Sequence, residues 1–150
     1  MTFSDIHVSY QPPLHGWLTI SILVDGQTVE IDASDVPNNP VEDLLVALNL
    51  AANGVPSSVW WHLEPDGYFM HFTPDGDEIQ FKLVFATESD GARGREVAET
   101  RGNAAQVLLP FWRFVREFQS HDFQEPHWPV TDYKRIRAVK DEIQLSRGES

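Results

Sequence analysis

The alternation of apolar and polar positions is clearest in residues 17–33, where two alternating stretches flank Asp25-Gly26. An Asp-Gly pair between such stretches predicts a hairpin, because a type I′ turn needs positive φ at both central positions. A two-residue turn pairs Ile22 with Val29 and Ile20 with Ile31, so apolar side chains meet on one face. The opposite face then carries mostly Thr, Ser, Glu and Asp, and a slip of one residue would destroy this separation. We therefore predict a hairpin with one buried and one solvated face.

Residues 58–86 predict a three-stranded meander, with strands at about 58–64, 68–73 and 77–86 joined by two Pro-Asp-Gly turns. In each turn Pro presets φ, and Gly takes the left-handed position that closes a type I turn with a bulge. These turns place Phe69 opposite Leu63 and Phe81. The predicted core face holds Val59, Trp61, Leu63, Phe69, His71, Ile79, Phe81 and Leu83. The other face holds Trp60, His62, Glu64, Tyr68, Met70 and Phe72, followed by Glu78, Gln80 and Lys82.

Three helices are predicted around these strands. The first covers 40–53, with Asn39 as N-cap, Pro40 at the first helical position and Gly54 after its end. A second covers 103–120, where Pro110 should kink the helix or begin a new segment. A last helix covers 131–145 with Thr131 as its cap.

The resulting fold prediction is a single globular α+β domain spanning residues 1–150. Its antiparallel β-sheet has five or six strands (hairpin, helix, three-stranded meander) and packs with two C-terminal helices. The sixth strand is a short edge strand at residues 6–10. Residues 87–103, rich in Gly, Arg and Glu, are predicted to form a flexible internal loop, and residues 146–150 a frayed tail.

Composition narrows the classes of partner and compartment. The chain has 150 residues, a net charge of −12 and no cysteine, which excludes disulfides and thiolate chemistry. The acidity argues against nucleic acid and favours a basic protein partner. No signal peptide or membrane-length apolar stretch is evident, so we expect a cytoplasmic protein without a membrane partner.

No phosphate-binding loop, dinucleotide fingerprint or hydrolase motif occurs, so no cofactor and no catalytic residue is predicted. The candidate binding site is the aromatic face of the meander: Trp60, His62, Glu64, Tyr68, Met70 and Phe72. A His beside a carboxylate is the minimum for acid–base chemistry, but only part of a zinc ligand set. The favoured interpretation is that Trp60, Met70 and Phe72 pack under the C-terminal helices, with His62 and Glu64 at the edge of the sheet.

Two further histidine positions have both a structural and a functional interpretation. His71 is expected to be buried in the core with one hydrogen bond. His121, Asp122, Glu125 and His127 have a spacing that supplies metal ligands if their loop folds back, although a solvated loop is the favoured interpretation. Trp128 is expected to anchor that loop.

The leading functional hypothesis is a non-enzymatic binding or interaction protein of the bacterial cytoplasm. It would act through its acidic surface or the aromatic face, with a homodimer as one possible assembly. The alternative hypothesis is a small-ligand-binding protein or enzyme that uses His62 and Glu64 in a pocket on the sheet.

Overall fold

The computed structural model describes residues 5–91 and 93–148, which form one seven-stranded antiparallel sheet and three helices. The strands are β1 (Ile6–Tyr10), β2 (Trp17–Val24), β3 (Gln27–Ser34), β4 (Ser57–His62), β5 (Gly67–Asp75), β6 (Glu78–Ala86) and β7 (Arg95–Gly102). The helices are α1 (Pro40–Ala52), α2 (Ala104–Ser120) and α3 (Ile136–Gly148). Strand order in the sheet follows chain order from β1 to β7. The predicted α+β class with two C-terminal helices is confirmed, but the sheet has more strands than the five or six expected.

The hairpin β2–β3 has the predicted register. Ile22 lies opposite Val29 and Ile20 opposite Ile31, and the turn residues Asp25 and Gly26 have φ of 48° and 89°. Both isoleucines of β2 are fully buried, as the apolar face of this hairpin requires.

The meander differs from the prediction in its central strand. Phe69 of β5 lies opposite Trp60 and Val84, whereas the sequence pattern placed it opposite Leu63 and Phe81. β5 is thus displaced by three residues relative to both neighbouring strands. Because side chains alternate with a period of two, an odd displacement turns the strand over. The predicted faces of β4 and β6 are correct, and those of β5 are reversed.

Both Pro-Asp-Gly segments form turns other than those expected. At the first, the loop ends at Asp66 and Gly67 already belongs to β5. A Cβ on Gly67 would clash with the Trp61 carbonyl oxygen and lie 2.6 Å from Cζ2 of Trp60, so glycine is required here by close approach. At the second, Gly76 and Asp77 form a two-residue turn in which Gly76 has φ of 62°, as in a type II′ turn.

The segment predicted as a flexible loop at 87–103 contains a strand. Its residues 95–102 form β7, which pairs with β6, and Ala98 and Thr100 are buried. A β-bulge lies at Val97, since Leu83 is opposite Ala98 while Val84 is opposite Glu96. The strand could have been predicted from the sequence, because the small residues Ala98, Thr100 and Gly102 alternate with charged residues at a period of two. Of the predicted frayed tail at 146–150, residues 146–148 continue α3, and 149–150 lie outside the described residues.

The first helix begins as predicted. Its N-cap Asn39 accepts hydrogen bonds from the backbone N–H groups of Val41 (3.1 Å) and Glu42 (3.3 Å), and Gly54 has φ of 83° after the helix end. α2 runs without a break through Pro110, so Pro110 does not begin a second segment. α3 begins at Ile136, five residues after the predicted cap Thr131.

The helices and one face of the sheet share a single apolar core, which defines the inner face of the sheet. Phe111 of α2 stands 5.3 Å from Phe72 and 5.0 Å from Phe81 between ring centroids. Tyr10 of β1 contacts the same helix, and burial, followed by the charge of Glu117, raises the pKa of Tyr10 to about 12. Its hydroxyl is therefore protonated at neutral pH and donates to Glu117 at 3.4 Å.

The sheet has two unequal halves, β1–β3 and β4–β7. They join through one residue pair, Ser34 of β3 opposite His62 of β4. At the far end of β3, the side-chain amide of Gln27 donates to the Val97 carbonyl at the bulge of β7 (3.0 Å). The two halves are thus connected at both ends of β3.

Candidate functional site

The outer face of β4 and β5 carries four contacting aromatic rings, Trp60, His62, Phe69 and His71, which we call the outer aromatic cluster. They belong neither to the apolar core nor to the side chains packed against it. The helices pack on the opposite, inner face, where Met70 and Phe72 are fully buried. Strand alternation therefore separates this cluster from the core.

Trp60 is the centre of the cluster. Its ring centroid lies 4.8 Å from that of Phe69 and 5.8 Å from that of His62. Its indole Nε1–H donates to Nδ1 of His62 at 3.0 Å, so a neutral His62 carries its proton on Nε2. Only 8% of Trp60 is exposed, while His62, Phe69 and His71 are half-buried. The surface thus presents the edges of three rings over a buried indole.

His71 lies at the other end of the cluster and not in the core, where it was expected. Its Nδ1 is 2.6 Å from the hydroxyl of Ser58, and its ring stacks on Phe69 with centroids 5.3 Å apart. Burial, followed by the charge of Lys82, lowers the pKa of His71 below its ordinary value of 6.5. His71 is therefore neutral at pH 7, and its Nδ1 shares a hydrogen bond with the Ser58 hydroxyl whose direction follows from the tautomer.

The rest of the outer face, on β6, β7 and the end of β5, carries two groups of ion pairs. Lys82 lies 3.5 Å from Glu96 and 3.9 Å from Glu99, and Arg101 lies 3.3 Å from Asp75 and 3.6 Å from Glu78. The four carboxylates of these pairs outnumber the two cations. An acidic surface therefore borders the aromatic rings.

The structure brings together only two of the six predicted binding residues. Trp60 and His62 lie in the cluster, whereas Glu64 is exposed in the turn after β4. Tyr68 is half-buried on the inner side, with its ring 5.3 Å from that of Phe85. Met70 and Phe72 belong to the core.

Phe69 and His71, which complete the cluster, were assigned to the core by the sequence pattern. A local signal for the second turn existed, because Gly-Asp at 76–77 also matches a two-residue hairpin turn. At the first turn, Gly67 packs closely against Trp60, and this contact favours the observed register of β5. A local sequence pattern does not predict such a contact.

A cleft of about 370 Å³ adjoins the cluster at Ser58. Its wall on α1 includes Val46 and Leu50, which are 57% and 38% exposed. Larger and smaller clefts of about 520 and 250 Å³ lie at the C-terminal end of α1 and between α1 and α3. His62 and Glu64 line none of these three clefts.

The loop before α3 is held by packing. Trp128 is fully buried against Phe118, with ring centroids 5.9 Å apart, which confirms its predicted anchoring role. His127 accepts a hydrogen bond from the backbone N–H of His15 (3.2 Å), and His121 stacks on Phe123. Within residues 5–91 and 93–148, no group of three or more His, Asp or Glu side chains is placed to hold a metal ion.

Comparisons with known proteins found no matching family model, no significantly similar curated protein and no significantly similar solved structure. Of the helices in the described part of the chain, none has both the length and the apolar character for a membrane crossing.

Proposed function

We propose that this chain is a non-enzymatic binding protein that contacts another protein through the outer aromatic cluster. The observation that carries the proposal is the position of four aromatic rings on the sheet face opposite the helices. When helices cover one face of an antiparallel sheet, the other is commonly polar and solvated. Aromatic residues are enriched in protein interfaces, where large rings contribute much of the binding energy.

The cluster has the rigidity that an interface favours. Its rings stand on neighbouring paired strands, and hydrogen bonds of Trp60 to His62 and of Ser58 to His71 hold both imidazoles in place. Side chains ordered before binding lose less conformational entropy in the complex. The exposed apolar side chains Val46 and Leu50 extend this surface across the adjoining cleft.

Charge supports a basic partner. The chain carries −12 overall, and the ionic half of the outer face has four carboxylates beside two cations. Complementary charge speeds association and selects among partners. We place the interaction in the bacterial cytoplasm because a cysteine-free composition fits a reducing compartment.

The proposal is tested by affinity purification with three baits: the wild-type chain, Phe69→Ala, and Leu14→Ala as a matched control. Leu14 is apolar and 59% exposed, and it pairs with Trp17 at the start of β2, so β3 separates it from the cluster. We expect one partner to be retained by the wild type and by Leu14→Ala, and its Kd for Phe69→Ala to rise about tenfold or more. Circular dichroism verifies that each bait is folded.

Equal binding by all three baits would contradict the proposal, as would the absence of any partner. Light scattering tests the remaining alternative, which is that the cluster forms a homodimer interface. A dimer of the wild type that dissociates in Phe69→Ala would show that the cluster mediates self-association and not binding to another protein.

A further inference from the structure

β3 has an edge without a neighbouring strand along most of its length. In the part of the chain that the structure describes, β3 and β4 pair only at Ser34 and His62. Residues 27–33 of β3 therefore pair with β2 alone. A strand edge of this kind presents rows of backbone donors and acceptors that another chain can bind.

The hairpin register identifies the free backbone groups. In a two-residue hairpin the residues that flank the turn, Val24 and Gln27, form a hydrogen-bonded pair, and every second residue of β3 then bonds to β2. Thr28, Glu30 and Asp32 point their N–H and C=O groups away from β2. Among the described residues these groups have no hydrogen-bond partner.

The solvent exposure of β3 agrees with an unpaired edge at Thr28, Glu30 and Asp32. Thr28, Glu30 and Asp32 are exposed, whereas the residues opposite two of them in β2, Thr19 and Ser21, are half-buried on the same outer face. Ser21 has a paired strand on each side, whereas residues 27–33 of β3 have a paired strand on one side only. The edge of β3 is therefore open to solvent.

The other two edges of the sheet are shorter or obstructed. β1 has only five residues and is soon followed by Pro12 and Pro13, which stop strand pairing. β7 is bulged at Val97, whose carbonyl is bonded by Gln27. β3 has eight residues and contains neither proline nor lysine, the residues that commonly protect an edge.

Charge selects what can occupy this edge. Glu30 and Asp32 project from the outer face about 7 Å apart along the strand, and Thr19 holds the Asp32 carboxylate with a 3.0 Å hydrogen bond. Antiparallel pairing of two β3 strands centred on Glu30 would oppose identical carboxylates, which disfavours a second copy of the chain. A strand with a cation at every second position would instead pair each cation with a carboxylate.

We propose that β3 binds an extended segment of a basic protein by strand addition, with Lys or Arg alternating with apolar residues. The cations of that segment lie beside Glu30 and Asp32. Its apolar side chains lie on the inner side beside Val29, which is half-buried against the core. Backbone hydrogen bonds supply affinity, and the alternating side chains supply specificity. This surface is separate from the outer aromatic cluster and does not depend on it.

Amide hydrogen exchange of the free protein is the first test. The amides of Thr28, Glu30 and Asp32 are expected to exchange rapidly, and those of Val29 and Ile31, which bond to β2, slowly. Protection of all five amides in the free chain would show that the edge is already occupied and would overturn the proposal.

Binding of a synthetic peptide of alternating Lys and Val, measured by calorimetry, is the second test. We expect binding with new protection of Thr28, Glu30 and Asp32, and an about tenfold rise in Kd for the double variant Glu30→Lys, Asp32→Lys. The matched control is Asp122→Lys with Glu125→Lys, which changes net charge equally at exposed loop positions. Thr28→Pro removes one outward N–H without removing a bond to β2, and should also weaken binding.

Three results would overturn the proposal: no binding of the Lys-Val peptide, equal binding of a Glu-Val peptide, or an equal loss of affinity in the Asp122/Glu125 control. Phe69→Ala should bind the peptide as the wild type does. Failure of the outer-cluster proposal is therefore distinguishable from failure of this one.

Discussion

The hairpin β2–β3 and the meander β4–β6 bury their inner faces alike but differ on their outer faces. The outer face of the hairpin consists mainly of Thr, Ser, Glu and Asp. That of the meander holds the outer aromatic cluster beside Lys82 and its carboxylates. One half of the sheet therefore has a mostly polar outer surface, with Trp17 and Leu23 as its apolar members, and the other has a surface rich in rings.

The difference shows what specifies strand register. In the hairpin, a slip by an odd number of residues would bury Glu30 and Asp32 and expose Ile31, so the alternation itself specifies the pairing. β5 has apolar side chains on both faces. If the strand were turned over, Phe69 would replace Phe72 in the core, and the apolar character of the core would change little. Its register depends instead on turn geometry and on the fit of Gly67 against Trp60.

The largest expected effect on stability comes from Phe69 and Phe72. The three-residue displacement of β5 places Phe72, instead of Phe69, in the core. Phe72→Ala should lower the free energy of unfolding by about 3–5 kcal/mol, because Phe72 is fully buried and contacts Phe81 and Phe111. Phe69→Ala should cost about half as much or less, since Phe69 is partly exposed outside the core. Urea denaturation measures both, and a larger loss in Phe69→Ala would restore the register first predicted.

The glycines of the two regions provide the next contrast. Gly67→Ala should destabilise the protein by about 1–3 kcal/mol through overpacking against Trp60 and the Trp61 carbonyl. Gly26→Ala, with no atom within 4 Å of its added Cβ, should cost about 1 kcal/mol from its φ of 89° alone. Asn tolerates positive φ, so Gly26→Asn should recover stability and Gly67→Asn should not. Thermal unfolding of the four variants tests this, and recovery at both positions would be the contrary result.

A smaller effect is expected where the two halves meet. Gln27→Ala removes the hydrogen bond to the Val97 carbonyl and should cost about 0.5–1 kcal/mol. Thr28→Ala, at the exposed neighbouring position, is the control. In Gln27→Ala, the loss of stability should be accompanied by faster amide hydrogen exchange at the hairpin turn and at the β7 bulge. Thr28→Ala should not show this faster exchange. Unchanged exchange in both variants would mean that this contact does not couple the halves.

The smallest effect concerns pH. The folded-state pKa of His71 lies below the ordinary 6.5, so the unfolded chain binds the proton more readily. This contribution to stability is present above pH 6.5 and is lost as pH falls from 6.5 towards the folded-state pKa. His71→Gln should therefore reduce the difference in unfolding free energy between about pH 7.5 and about pH 5.5. Lys82→Met should reduce it in part, because burial is the larger cause. A steeper pH dependence in His71→Gln would contradict the sign of the shift.

Much of the architecture was predictable because its signals are local. Asn39 and Pro40 begin α1 through backbone hydrogen bonds and a preset φ, and both act within one turn of the chain. The candidate site was predictable only in part. Trp60 and His62 share a face because they are two residues apart on one strand, whereas their partners Phe69 and His71 depend on the pairing between strands.

The sequence by itself determined the α+β class, the hairpin register and the start of α1, since turn residues, caps and polar alternation act over a few positions. Only the tertiary structure decided which face of β5 enters the core, and therefore which rings form the outer aromatic cluster. It also decided that β7 joins the sheet and that the outer edge of β3 is open. These features depend on contacts between residues far apart in the chain, such as Gln27 with Val97, and a local pattern carries no information about them.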